Sequence, residues 1–372
     1  MKLQVLQENL SKALVTTSRF ASPKVQLPVL ANILLSAKKN KLLVSATNLE
    51  TSICISIGAS VSKEGEITVP SRVVTDLISN LGTGQIILEA EKEQLKVTAQ
   101  NFNSTLSGMN SSDFPSVPQV AGDSTLQITS EVFLTSLSKV LFAVSSDETR
   151  PVLTGVLIKM EKGEMTLVAT DGFRLSQKKI KIKVSREETI ILPRGALSEL
   201  VRLSTEDKEI SFSFKKGESQ VIFGLSGVVL ASRVIEGEFP DFEKILPKSS
   251  SLKVSLDREE FLRAVKLSSV FARDSANVVK LTIKKGAIEV SAESARSGSQ
   301  RAQVDAKVEN EGGSLNQGFE LAFNFRFLEE FLNVVTSEEV RMEFSNANAP
   351  GVFLDPKDTD FLHIIMPVRI QG

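Results

Sequence analysis

Ala169-Thr170-Asp171-Gly172-Phe173-Arg174-Leu175 stands 123 residues after Ala46-Thr47-Asn48-Leu49-Glu50-Thr51-Ser52, and the pairing of these two stretches decides how the chain is built. The same shift carries Pro28-Val29-Leu30 onto Pro151-Val152-Leu153, and Val69-Pro70-Ser71-Arg72 onto Leu192-Pro193-Arg194. One offset held over about forty residues marks an internal repeat. A third copy is weaker. Asn277-Val278-Val279 and Ser291-Ala292-Glu293 fall where it is expected, and Ala322-Phe323-Asn324 follows after an insertion around Gly312-Gly313.

Each copy opens on a helical pattern. Leu6, Leu10, Ala13, Leu14 and Thr17 share one face at helical spacing. In the middle copy Ser130 is expected to cap a helix carrying Phe133, Leu137, Val140, Leu141 and Val144. In the third, Asp257-x-x-Glu260 has capping-box character and leads into Phe261, Ala264, Val265 and Ser268. A second helix follows in each: Val73, Val74, Leu77, Ile78 and Leu81; then Ala196, Leu197, Leu200 and Val201; then Phe327, Leu328, Phe331, Leu332 and Val335. Pro70 and Pro193 suit the starts of the first two.

Between helices the apolar period drops to two, as in Ile53-Ile55-Ile57 and Ile210-Phe212-Phe214. Lys63-Glu64-Gly65-Glu66 and Lys284-Lys285-Gly286 read as turns. Each copy is therefore two helices with several antiparallel strands, an α+β unit. Linkers at Pro118–Thr125 and Pro247–Leu252 divide the chain into domains 1–121, 122–248 and 249–372.

The 372 residues are too many for one core and suit two or three domains. Lys+Arg number 44 against 45 Asp+Glu, so any nucleic-acid contact comes from a local basic surface, not from bulk charge. The lone cysteine, Cys54, forms no internal disulfide, and a reducing cytoplasm is expected. No apolar run is long enough to span a membrane. His363 is the one histidine, and its apolar neighbours Phe361, Leu362, Ile364 and Ile365 read as a buried strand. One His with one Cys cannot build a usual zinc site, and no phosphate-binding glycine loop is present. No cofactor is expected. A carboxylate-dependent hydrolase would need paired acids, with Asp171 and Asp241 as candidates, although both read as turn residues. A repeat-built scaffold that binds proteins and never meets DNA is the other alternative.

The ordered set Leu27-Pro28-Val29-Leu30-Ala31-Asn32, Ala169 to Leu175, Glu238-Phe239-Pro240-Asp241-Phe242 and Met366-Pro367-Val368-Arg369-Ile370 resembles the bacterial DNA polymerase III beta subunits, the beta sliding clamps. The resemblance covers the whole chain. It implies three tandem DNA-clamp domains and a head-to-tail homodimer whose six domains close around double-stranded DNA. It also implies a processivity subunit without catalysis, with no membrane partner. Twelve helices spaced about 9 Å apart would line a wall roughly 110 Å around and about 35 Å across. Removing about one helix diameter, 10 Å, leaves a hole of about 25 Å, wide enough for duplex DNA.

Such a ring holds DNA by topology, independently of sequence, and strong phosphate gripping would hinder sliding. Cations on or beside the helices that could line it are Lys12, Arg19, Lys24, Arg72, Lys139, Arg194, Arg202, Lys266, Arg273 and Arg326. The family resemblance also implies a groove for short linear peptides of the DNA polymerase III alpha subunit, the clamp loader, other polymerases and repair proteins. Carried over by position, it comprises Leu153, Thr170, Gly172, Phe173, Arg174, Leu175, Pro240, Lys244, Ile245, Ile364, Met366, Pro367, Val368 and Arg369. Arg150, Arg174 and Arg369 are expected to hold peptide carbonyls or an acidic group. Phe173 stands where histidine is common in the family, Lys244 where arginine is, and Val368 where methionine is; Gln371-Gly372 extend the usual end. The dimer contact is expected to set Leu106 against Val270 and Phe271.

Overall fold

The computed structural model describes residues 1–22, 27–122, 126–183, 187–203, 207–247, 249–310 and 319–369. The first copy contains β1 (Lys2–Leu6), α1 (Gln7–Ser18), β2 (Asn32–Lys38), β3 (Lys41–Thr47), β4 (Thr51–Gly58), β5 (Ser60–Lys63), β6 (Gly65–Pro70), α2 (Ser71–Ser79), β7 (Gln85–Glu91), β8 (Gln94–Ala99) and β9 (Phe102–Ser107). The middle copy contains β10 (Leu126–Thr129), α3 (Ser130–Leu141), β11 (Gly155–Glu161), β12 (Glu164–Thr170), β13 (Arg174–Lys181), β14 (Glu188–Pro193), α4 (Arg194–Arg202), β15 (Glu209–Lys215), β16 (Gln220–Leu225) and β17 (Val228–Arg233). The third contains β18 (Leu252–Asp257), α5 (Arg258–Ala272), β19 (Val278–Lys284), β20 (Ala287–Ser294), β21 (Gly298–Asn310), β22 (Phe319–Asn324), α6 (Phe325–Val334), β23 (Glu339–Phe344), β24 (Gly351–Asp355) and β25 (Asp358–Ile365). All three share the order strand, helix, strands, helix, three strands.

The helices form where the apolar spacing places them. α1 buries Gln7, Leu10, Ala13, Leu14 and Thr17, and α6 buries Phe325, Leu328, Phe331 and Leu332. Asp257 caps α5, its Oδ1 accepting from the Glu260 N–H at 2.8 Å. Asn324 caps α6 in the same way, through the Arg326 N–H at 3.0 Å. Two local expectations change. Leu6 ends β1 and points outward, so it is not part of the α1 core face. Ser130 is the first residue of α3, and its buried hydroxyl has no partner among the described residues, so it is not a side-chain cap.

Chain contacts divide the protein into two compact units, Met1–Glu131 with Arg202–Val234, and Val132–Val201 with Ile235–Gly372. The division cuts the middle copy because its strands join two different sheets. In the first unit, β10-β15-β16-β17-β4-β3-β2-β6 form one sheet and β5-β1-β7-β8-β9 another. In the second, twelve strands run β14-β11-β12-β13-β25-β24-β23-β18-β21-β20-β19-β22. Two pairings therefore join copies edge to edge. β4 pairs β17, with Thr51 opposite Ser232 and Ile55 opposite Val228. β13 pairs β25, with Arg174 opposite Ile365 and Lys178 opposite Phe361.

The third copy looks least like the others in sequence because its core is rebuilt around phenylalanine. Phe323, Phe331, Phe344, Phe353 and Phe361 are fully buried together. Ring pairs such as Phe323–Phe353, 5.6 Å apart and edge-on, hold the same scaffold with different residues.

Candidate partner groove and inner-face cations

The candidate groove begins at the turn between β12 and β13. The Thr170 hydroxyl donates to the Arg174 carbonyl at 2.6 Å and accepts from the Gly172 N–H at 3.1 Å. Asp171 Oδ1 accepts from the N–H groups of Phe173 and Arg174 at 2.9 and 3.0 Å. Gly172 sits at φ +93°, a left-handed conformation that glycine adopts without strain. The turn throws Phe173 outward, 63% exposed.

Beneath it lies an apolar floor of Leu157, Val168, Leu175, Ile191, Phe242 and Ile364, flanked by Val152, Ile235, Phe239, Leu246 and Leu362. Leu153 and Thr170 are also buried. Pro240, Lys244, Ile245, Met366, Val368 and Arg369 are exposed, and Pro367 is partly so. Two backbone bonds pin the chain end: the Met366 N–H to the Phe173 carbonyl at 2.8 Å, and the Val368 N–H to the Ala322 carbonyl at 2.7 Å. Val152, Ile235, Phe239, Leu246 and Leu362 are flanking residues outside the set carried over by position. Their signal is in the sequence: Val152 lies inside the repeated Pro-Val-Leu, and Phe239 precedes the repeat-ending Pro240.

Arg174, expected to hold peptide groups, is drawn inward by partners within the protein. Its guanidinium is buried and bonded inside the protein. It donates to Asp171 at 3.0 Å, to the Phe142 carbonyl at 2.6 Å and to Glu330, and it stacks 4.4 Å from the Phe327 ring centre. It ties the turn to the end of α3 and to α6, using three of its five N–H groups. Arg150 is more exposed; it pairs with Asp147 at 2.9 Å and reaches the Asp171 carbonyl at 3.2 Å.

Lys139 also leaves the candidate lining. It is 5% exposed, with Nζ 2.5 Å from Asp358, 3.7 Å from Asp355 and 5.1 Å from the Phe361 ring centre. Lys178 completes the cluster at 2.5 Å from Asp358. Burial pushes both aspartates up, but hydrogen bonds from Ser337 and Thr336 to Asp355, and from Lys139 and Lys178 to Asp358, more than offset it and hold both below 3.8. Lys12, Arg19, Arg72, Arg194, Arg202, Lys266, Arg273 and Arg326 are exposed. Lys24 lies outside the described residues. Arg263, one turn before Lys266 on α5, is an exposed cation that the sequence reading passed over.

Leu106 is buried within its own sheet, Val270 is 59% exposed, Phe271 is partly buried, and Leu267 beside them is 51% exposed. His363 is buried in β25. Its Nδ1 lies 2.7 Å from the Ser176 hydroxyl and its ring stacks on Phe331 at 5.4 Å. Burial, reinforced by Arg174, pushes its pKa well below 6.5. The acids of the hydrolase alternative do not converge: Asp171 is absorbed in its turn and Asp241 pairs with Lys244 at 2.8 Å. Among the described residues no acid, His and Cys cluster is placed to hold a metal, and no helix is long and apolar enough to cross a membrane.

Three like units sharing sheets edge to edge, with exposed cations on the helices, define a DNA clamp. Family models described as the N-terminal, central and C-terminal domains of the DNA polymerase III beta subunit match residues 1–118, 127–241 and 243–369. The chain belongs to that family, the bacterial beta sliding clamps. It is 30% identical to the beta sliding clamps of Staphylococcus aureus and Staphylococcus epidermidis, over 99% of both chains in each case. The solved sliding clamp of Bacillus subtilis superposes with a TM-score of 0.93 at 25% identity, and the beta subunit of Pseudomonas aeruginosa with 0.92 at 26%, each over the full length of both chains. The chain is a clamp subunit and not an enzyme.

Proposed function

We propose that two copies close head to tail around duplex DNA and tether the replicative polymerase and other partners, which dock short peptides in the groove above. The observation that carries this reading is the repeated edge pairing of β4 with β17 and of β13 with β25. By the same order of strands, β9 stands where β17 and β25 stand, and the start of β21 stands where β4 and β13 stand. Among the described residues β9 pairs with β8 alone, and Gly298–Asp305 of β21 pairs with β20 alone. Two unpaired edges in one chain are an aggregation hazard unless they meet each other. Repeating the internal register sets Leu106 opposite the partner subunit's Gly298, and Phe102 opposite the partner subunit's Ala302. Leu267 and Val270 then hold the places taken at the internal joint by Lys139 and Phe142. The seam between subunits is apolar where the internal joint is ionic. This refines the expected contact: Leu106 contributes its backbone edge, and Val270 and Leu267 contribute the exposed apolar surface.

The domain boundaries 1–121, 122–248 and 249–372 remain our division, and a cytoplasmic location follows from a role in replication. Clamp loaded on circular DNA should stay bound, and cutting the circle should release it. Equal retention on circular and linear DNA overturns the ring. For the groove, Met366→Ala should weaken a polymerase-derived peptide about tenfold, the loss of one well-buried apolar contact, with the dimer intact by light scattering. Unchanged affinity would move the peptide elsewhere.

A further inference from the structure

The first helices of the three copies start at Gln7, Ser130 and Arg258, and aligning those starts matches them residue by residue. On α1 the exposed face carries Lys12, and Arg19 follows at its end. On α5 the corresponding face carries Arg263 and Lys266, with Arg273 at its end. On α3 the matching positions are Thr135, Ser138, Phe142 and Ser145, and the one lysine of the helix, Lys139, is buried against Asp355 and Asp358. The middle copy therefore offers no exposed cation on the helix where the other two offer them.

The internal joint indicates which helices neighbour one another. Arg174 links the end of α3 to Phe327 and Glu330 of α6, so the first helix of one copy meets the second helix of the next. At the seam between subunits, α5 accordingly meets the partner's α2, and α1 packs directly against α2. Arg263, Lys266 and Arg273 then lie on one side of the seam, with Lys12 and Arg19 of the partner close on the other.

We propose that duplex phosphates are held across this seam, so that DNA inside the ring opposes separation of the subunits. The inference rests on the ring reading. Like charges facing each other weaken the empty seam. A polyanion contacting both sides removes that repulsion, and binding that requires both subunits must tighten the dimer by linkage. DNA is thus a component of ring closure and not only its cargo. The neutral α3 leaves the arc between the two seams with no cation on its first helix to engage the phosphates.

The test is subunit exchange between donor-labelled and acceptor-labelled dimers at low ionic strength, with and without a short linear duplex that can thread the ring. The duplex should slow exchange several-fold in the unmodified protein. Lys12→Ala/Arg263→Ala/Lys266→Ala should abolish the slowing while remaining dimeric by light scattering. Its DNA affinity should also fall less steeply with salt, the log–log slope losing roughly one per cation removed. Lys63→Ala/Lys96→Ala/Lys285→Ala removes the same charge from strands and a hairpin and should keep the slowing. No slowing in the unmodified protein, or equal loss in the strand variant, overturns the proposal. Retention on circular DNA reports separately on the ring: a clamp that stays on circles yet exchanges at the same rate with and without duplex refutes the seam contact alone.

Discussion

The turns Thr47–Thr51 and Thr170–Arg174 share one backbone and do different work. In both, a threonine hydroxyl bonds the carbonyl four residues on, at 3.0 and 2.6 Å. In both, an Asn or Asp side chain accepts from two successive N–H groups. In both, the third residue is left-handed, Leu49 at φ +74° and Gly172 at φ +93°. The strand end answering each turn is the same too: the Arg233 N–H donates to the Glu50 carbonyl as the Met366 N–H does to that of Phe173. What differs is what the turn carries. Asn48 became Asp171, and Thr51 became Arg174, which together lock the second turn to two helices. Leu49 and Glu50 became Gly172 and Phe173, which open the surface and place an aromatic ring beside it. Local side-chain hydrogen bonding fixes the scaffold, and four differences on it separate a structural corner from the proposed binding edge.

The largest effect should come from cutting the lock. Arg174→Ala leaves Asp171, the Phe142 carbonyl and Glu330 without their shared donor. With Glu330 nearly half exposed, breaking these pairs and losing the buried guanidinium costs about 1–3 kcal/mol. Thr51→Ala at the matching position should cost less than about 1 kcal/mol, because only a partly exposed hydroxyl bond is lost. Denaturant unfolding of the two variants compares them directly. Equal losses would mean that the lock adds nothing to the turn.

Next in size is Gly172→Leu, which copies Leu49 into the second turn. The added Cβ would come within 3.0 Å of the Arg150 guanidinium, a flexible group that can move aside. The left-handed backbone costs a branched residue roughly 1 kcal/mol. The side chain would also sit over the groove floor. Peptide affinity measured by fluorescence anisotropy should fall tenfold or more, with only a small stability loss. Retained affinity would show that peptides avoid this edge.

Much of this was legible in the sequence. The repeat, the helix faces, the Asp257 cap and the strand setting of His363 follow from spacing alone. The fates of Arg174 and Lys139 do not. Their partners Glu330, Asp355 and Asp358 lie in another copy, and no periodicity within α3 or β13 points to them. Lys139 falls on the exposed stripe of an isolated α3; only the β24–β25 hairpin covers it. Leu6 reads as helix by spacing, yet β1 pairs with β7 through that residue, which turns its side chain outward. In each case a distant contact overrode a correct local pattern.

A smaller effect separates the two joints by pH. The pair Ser176–His363 in β13·β25 corresponds to Ile53–Leu230 in β4·β17. His363 in the folded chain has a pKa well below 6.5, so on acidification the unfolded chain takes the proton first. Its contribution to stability is complete above about pH 6.5 and declines as the pH falls from there, by no more than about 1.4 kcal/mol per pH unit. The aspartates of the ionic cluster, held below 3.8, are silent in this window. Ser176→Ile/His363→Leu, which copies the apolar joint, should flatten the denaturation midpoint between about pH 7.5 and about pH 5.5. An unchanged slope would assign the acid sensitivity to another group.

The smallest effect tests whether the first turn was ever a groove in waiting. Leu49→Gly removes a left-handed leucine, relieving about 1 kcal/mol of backbone strain. It also frees the unfolded chain by roughly 0.5–1 kcal/mol, in the opposite direction. The side chain is half exposed, so little apolar burial is lost. The net change should lie within about 1 kcal/mol of zero. Peptide binding should not appear at this turn, because Glu50 still stands where Phe173 does and Arg233 where Met366 does. A new peptide site in Leu49→Gly would mean that the glycine alone makes a groove. Its absence, alongside the loss in Gly172→Leu, would mean that the glycine is needed and the aromatic residue and chain end complete it.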